Sequence, residues 1–263
     1  MFKSKKLTCA IFFCVALFIP KFYYSGKPIH LSIDDVGDCM KEIADNPQEF
    51  RSIFQHPFFR KLKTFHRITG AKFTLYTYFN YQGYTISEFP VKFHDEFRTN
   101  SDWLRFGFHA INDTISAEHV SDTRHFISCF DSTNSHIARI TGEYAKSLRL
   151  HYFYATRQEI DSLESRQILC LFSADDDRIS YDLPKAINEQ LIKSESLDFH
   201  NIHYERTDIR IENSNLIQSL YSNRNDDKIV IFTHEWALSS RKITYKTLLL
   251  LFFLKIYNSN FLI

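Results

Sequence analysis

Seven short segments rich in β-branched, aromatic and aliphatic residues recur along the chain, each followed by a stretch with helical character. This alternation constrains the fold more than any other feature, because strands separated by helices become parallel neighbours in a sheet. The segments run from Ile29 to Asp34, Lys72 to Tyr78, Leu104 to His109, Leu148 to Phe153, Ile168 to Phe172, Asn201 to Thr207 and Lys228 to Thr233. Helical stretches fall at Gln55 to Thr69, stopped by Gly70, and at Ala117 to Ile140, stopped at Gly142. Further crossovers fall at Leu183 to Ile192 and Asn213 to Tyr221. Units of this kind close into a barrel or stay open as a doubly wound sheet, and periodicity does not separate the two. Polar groups gathered at the ends of several strands favour the barrel, whose strand ends share one rim. The expectation is an α/β protein built as a distorted seven-stranded (β/α) barrel, one domain spanning residues 28–240.

A chain of 263 residues that is 44% hydrophobic has enough apolar surface for such a core. Six glycines against 26 phenylalanines imply packed aromatic strands and few loose connections. The net charge is +1, but Lys3, Lys5, Lys6 and Lys21 all lie in the first 24 residues, which contain no acid. Without those four lysines, acidic residues slightly outnumber basic ones, so the body carries no footprint for phosphate backbones and nucleic acid is not an expected partner.

The basic start and the apolar run from Leu7 to Ile19 read as a signal peptide or membrane anchor over residues 1–24, and so as a secreted or membrane-anchored, extracytoplasmic protein. Cys9 and Cys14 lie in that run, leaving Cys39, Cys129 and Cys170 as unpaired thiols of the body. Residues 241–263 read as a C-terminal apolar helix or tail, since the run from Leu248 to Leu254 is well short of the roughly 20 residues of a membrane span.

Candidate chemistry sits where strands end. Asp34 and Asp35 close the first strand, and two adjacent carboxylates repel one another unless a cation or basic partner compensates. That pairing suits a general base beside a metal ligand. Capping of a following helix is the bland alternative, although Asp38 already suffices for it. His109 closes the third strand two residues after Gly107, and His234 closes the seventh. Arg149 and His151 share a face of the fourth strand, and Asp175, Asp176 and Asp177 follow the fifth. Arg149 is suited to orienting a catalytic carboxylate, and an aspartate of the triplet to fixing a histidine; alternatively, the triplet is a solvated turn before Arg178.

At these residues, over roughly residues 28 to 240, the chain resembles the polysaccharide deacetylase family, the carbohydrate esterases of family 4 with NodB homology. Ser32-Ile-Asp-Asp-Val-Gly37 is similar to the family's first motif, which implies Asp34 as general base and Asp35 as metal ligand. The family's paired histidines, spaced H-x3-H, correspond to His109 and, at the second place, Asp113. Asp113 can coordinate zinc through oxygen, or cap a helix, with Asn112, His151 or His234 supplying the third ligand instead. Arg149 stands in place of the arginine motif, without the family's prolines. The aspartate triplet stands for the aspartate motif, without its tryptophan, and His234 for the late histidine that acts as general acid.

The resemblance implies a hydrolase dependent on Zn2+ or another divalent metal, removing N- or O-acetyl groups from a carbohydrate. Two other readings stay open. One is a noncatalytic carbohydrate-binding barrel that has lost its metal, suggested by Asp113. The other is a glycoside hydrolase on the same barrel, which needs two carboxylates about 5 to 9.5 Å apart. Neither the sugar nor the oligomeric state is written in the sequence.

Overall fold

A computed structural model describes residues 23–114, 122–257 and 259–262. Strand β1 (Pro28–Val36) leads into helices α1 (Asp38–Asp45) and α2 (Pro57–Thr69), then β2 (Phe73–Tyr78) and a small hairpin of β3 (Asn80–Tyr81) and β4 (Tyr84–Thr85). Helix α3 (His94–Thr99), β5 (Leu104–Ala110), α4 (Thr123–Thr141), β6 (Ser147–Leu148), α5 (Arg157–Glu164) and β7 (Cys170–Phe172) follow. The chain continues through α6 (Lys185–Ser194), β8 (Ser196–Phe199), β9 (Ile202–Glu205), β10 (Ile209–Arg210), α7 (Leu216–Ser222), β11 (Ile229–His234), α8 (Arg241–Ile256) and β12 (Asn260–Leu262).

The parallel strands form two arcs. One runs β10-β11-β1-β2-β5, with β12 joined beside the start of β1, and the other runs β6-β7-β9-β8, the last pair antiparallel. Among the described residues no ladder joins β5 to β6 or β9 to β10, so the expected seven-strand ring is seen as an α/β fold of two parallel arcs. The interruptions have local causes. The expected strand from Leu148 to Phe153 keeps only Ser147–Leu148 in a ladder, because Tyr152 and Phe153 take positive φ values of 57° and 56° that no strand accommodates. The expected strand from Asn201 to Thr207 ends its ladder at Glu205, and a separate short strand, β10, then pairs with β11. Single hydrogen bonds span the β5–β6 gap, from Ala145 N to the Phe106 carbonyl at 2.8 Å and from the Tyr76 hydroxyl to the Ser147 carbonyl at 2.9 Å.

Helix ends follow their sequence signals closely. His56 caps the N-terminus of α2 by accepting from Phe58 N, and Gly70, at φ 77°, ends the helix in the left-handed conformation that glycine adopts without strain. Asp122 caps α4, whose expected start at Ala117 lies outside the described residues.

Two core clusters pack on the strands. Residues of β1, β2, α2, α3 and α8 fill one, and residues of α4, α5, β6, β7 and β9 fill the other together with Tyr76, Phe108, Val230 and Phe232 from the first arc. The C-terminal segment takes part in the first core: Leu250, Leu251 and Leu254 of α8 are buried, and β12 pairs with Pro28, Ile29 and His30. Cys39, Cys129 and Cys170 are free thiols, as expected.

Arg149 joins the arcs. It is fully buried just after β6, yet its guanidinium reaches Asp34 on β1 at 3.3 Å, donates to the Thr207 hydroxyl and the Ser173 carbonyl, and lies 4.4 Å from the Phe232 ring centroid on β11. Removing one member of such a pair strands the other charge in the interior. Arg149→Met is therefore expected to lower unfolding free energy by about 3–5 kcal/mol in a denaturant titration. Addition of Asp34→Asn in the same chain is expected to restore part of it; a loss below about 1 kcal/mol for the single variant would show that the arcs do not depend on this pair.

Candidate metal centre and catalytic site

The sequence puts two carboxylates in adjacent positions of one strand, which alternation would send to opposite faces. The structure resolves this with an irregularity. The register of β1 against β2 shifts between Ile33 and Val36, and Asp35 takes φ 58°, a conformation costing about 1–3 kcal/mol for a non-glycine residue. Asp34 stays in register opposite His234 of β11, and Asp35 turns its carboxylate onto the same rim. Gly37 then passes so close to the Tyr81 ring that a Cβ there would lie 2.4 Å from it.

Asp35 is the hub. Its Oδ1 accepts from the Tyr78 hydroxyl at 2.5 Å and lies 3.2 Å from His109 Nε2 and 3.7 Å from His151 Nε2. Its Oδ2 accepts from Trp236 Nε1 at 3.2 Å and lies 3.8 Å from His234 Nε2. Burial alone would push the Asp35 carboxyl up, but the close approach and charge of His109, with His234 and the Tyr78 hydroxyl, outweigh it and hold the group well below the usual carboxylate range.

His109 also sits on irregular backbone. The ladder pairs Thr77 with Phe108 and Tyr78 with Ala110, so His109 bulges between them. Its Nδ1 lies 2.6 Å from the Arg149 carbonyl, which fixes Nδ1 as the donor and leaves a lone pair on Nε2. That Nε2 is buried and has no hydrogen-bond partner among the described residues. His151 arrives on the turn after β6 that carries the positive φ values, and burial with the neighbouring His109 pushes it down to about 4, so it is neutral near pH 7.

Asp35, His109 and His151 offer ligand atoms that all lie within 4.8 Å of one another. One carboxylate with two imidazoles, one carrying a buried nitrogen without a partner, is a donor set that fits a divalent ion such as zinc. Without a cation, burial lowers the affinity of His109 for a proton, but Asp35 and Asp34 raise it further, to a net increase. Uptake of an ion displaces such a proton, so binding strengthens as pH rises.

Of the expected ligands, Asp35 and His109 fall in this group together with His151, one of the alternatives weighed in the sequence, whereas Asp113 lies half exposed beyond the end of β5 and is not among these three. Asn112 is engaged in the same loop, where its side chain accepts from Thr114 N at 3.0 Å.

Asp34 is buried beside the hub, opposite His234. Burial raises its carboxyl above 3.8 while Arg149 opposes the rise, and the Ser32 hydroxyl donates to it at 3.3 Å. The pairing of Arg149 with Asp34 is the one its sequence position suggests.

The partner of His234 was missed. Of the triplet, Asp176 forks onto Arg178 in a surface turn at 2.6 and 2.7 Å. Glu212, just after β10, is that partner: its Oε1 faces His234 Nδ1, and its other oxygen accepts from the Thr233 hydroxyl at 2.9 Å. Burial would raise Glu212, but the hydrogen bond and charge of His234 outweigh it and hold the carboxylate below 4.5. The available signal was an acidic residue at the end of the alternating stretch Ile209-Arg-Ile-Glu212. Tyr78 and Trp236, which hold Asp35, carried none beyond adjacency to strand ends.

No family model matches the chain, and no curated protein matches it by sequence. Solved structures do match. The family 4 carbohydrate esterase from Streptomyces lividans, in complex with acetate, is 14% identical, covers 89% of this chain and 91% of its own, and has a TM-score of 0.51. The Bc1960 peptidoglycan N-acetylglucosamine deacetylase is also 14% identical, covers 91% of this chain and 86% of its own, and has a TM-score of 0.50. The chain therefore has the fold of the family 4 carbohydrate esterases.

Metal quantification on purified protein checks the ligand set. Asp35→Ala, His109→Ala and His151→Ala are each expected to lose the divalent ion, and Asp113→Ala to keep it; the reverse result for His151 and Asp113 would restore the H-x3-D pair.

Proposed function

We propose that the chain is a divergent polysaccharide deacetylase, a metal-dependent hydrolase that removes acetyl groups from a sugar or polysaccharide. The observation that carries this reading is the division of labour between two adjacent carboxylates: Asp34 is paired with Arg149, and Asp35 stands among two histidines within ligand distance. The likeness to a family 4 carbohydrate esterase and to a peptidoglycan N-acetylglucosamine deacetylase supports it, and supports reading the arcs as a distorted seven-unit barrel.

A divalent ion at Asp35, His109 and His151 would polarise the acetyl carbonyl and acidify water at the site. The chain's own residues handle the protons. Asp34 takes the proton of the attacking water, with Arg149 fixing its orientation through their ion pair. His234 gives a proton to the leaving nitrogen or oxygen, and Glu212 holds the imidazole by its far nitrogen, as a carboxylate orients a catalytic histidine. Tyr152 and Trp236 are exposed beside the site, Tyr152 tilted against His151 at 4.1 Å and Trp236 stacked on His234 at 5.1 Å, and offer apolar ring faces to a sugar.

The noncatalytic alternative was founded on Asp113 replacing a histidine. The presence of His151 among the ligand atoms weighs against it. Export or anchoring through residues 1–24 belongs to the same proposal, since the basic and apolar start of the chain suits a protein acting on an extracytoplasmic polymer.

Asp34→Asn is expected to lower the rate of acetate release from an acetylated sugar oligomer by about a hundredfold or more, with bound metal retained. Glu212→Gln is expected to lower it by about 10–100-fold, the usual cost of losing an orienting partner. Wild-type rates from Asp34→Asn would remove the assignment of the base.

A further inference from the structure

Of the large apolar side chains that stand exposed, six lie on α7 and α8: Ile217 at 83%, Tyr221 at 67%, Tyr245 at 65%, Leu249 at 68%, Phe252 at 38% and Ile256 at 62%. On α8 the positions 245, 249, 252, 253 and 256 fall within an arc of about 100° at 3.6 residues per turn. The opposite face of the same helix carries the buried Ile243, Leu250, Leu251 and Leu254. A helix apolar on both faces, with only one covered, has an outer face that suits a partner.

The stripe is continuous with a groove of about 220 Å³ lined by Tyr23, Tyr24, Ile217, Leu220, Tyr221, Arg224 and Phe253. The described chain begins in this groove, at Tyr23, directly after the apolar run Leu7 to Ile19. Charge points the same way. Arg241 and Lys242 are exposed at the start of α8, which contains no acid, while its Lys246 and Lys255 donate to carbonyls of the body; the first 24 residues are likewise basic without acid. No helix among the described residues is long and apolar enough to cross a membrane.

We propose that the outer face of α8, with Ile217 and Tyr221 of α7, lies on the surface of an acidic lipid bilayer, beside the point where the N-terminal segment enters the body. Apolar side chains seat at the headgroup boundary while lysines and arginines meet anionic headgroups, the arrangement of an interfacial helix. This inference is independent of the chemistry proposed for the site. It would fix which side of the body faces the membrane.

The test uses the full chain with a single tryptophan added, Leu249→Trp, mixed with vesicles of phosphatidylcholine and phosphatidylglycerol bearing brominated acyl chains. Leu169→Trp, at an exposed position before β7 on the other arc, is the control. Loss of the added emission in Leu249→Trp but not in Leu169→Trp is the expected result, with Lys242→Gln weakening vesicle binding by about fivefold. Equal quenching at both positions, or at neither, would overturn the proposal. So would a blue-shifted Leu249→Trp emission in a vesicle-free monomer, which would mean that the N-terminal segment covers the face. A vesicle-free dimer broken by Leu249→Glu would assign the face to a second copy and overturn it as well.

Discussion

The ion pair between Arg149 and Asp34 is the constraint on which the molecule turns. Two parallel arcs meet without a continuous ladder, and the guanidinium bridges them, reaching β1, the ends of β7 and β9, and the aromatic face of Phe232. A fully buried arginine is tolerated only with its charge compensated, so Asp34 must be a carboxylate at that place. The backbone carbonyl of the same residue faces His109 Nδ1. One position therefore holds the sheets together, orients the candidate base and sets the tautomer of a candidate ligand.

The site is assembled from backbone irregularity. Asp35 turns inward through a positive φ and a register shift, His109 stands in a bulge, and His151 precedes two consecutive left-handed residues. Regular strands would alternate these side chains between rim and core. The cost of each distortion is offset by packing around it: Tyr81 against Gly37, the Tyr78 and Trp236 donors on Asp35, and the Arg149 carbonyl on His109. The result concentrates three imidazoles around one carboxylate, an arrangement with an obvious place for a cation.

Much of this was legible from strand ends. Asp34, Asp35, His109 and His234 each close an apolar run, and Arg149 has the right residue type to answer a buried carboxylate; the structure brings all five to one rim. What the resemblance supplied by spacing alone, Asp113 as ligand, is not among the three ligand groups brought together, where His151 stands beside Asp35 and His109. Within the triplet of aspartates, Asp176 closes a turn onto Arg178.

By itself the sequence determined the alternation of strands and helices, the helix stops at Gly70 and Gly142, the free thiols and the residue types at the rim, because these depend on neighbours a few positions apart. Only the tertiary structure decided that Glu212 faces His234, that His151 stands beside Asp35 and His109, and that β12 returns to pair with β1. Those outcomes depend on where chain segments far apart in sequence converge, and on left-handed residues that turn side chains away from their expected face. Periodicity carries no record of either.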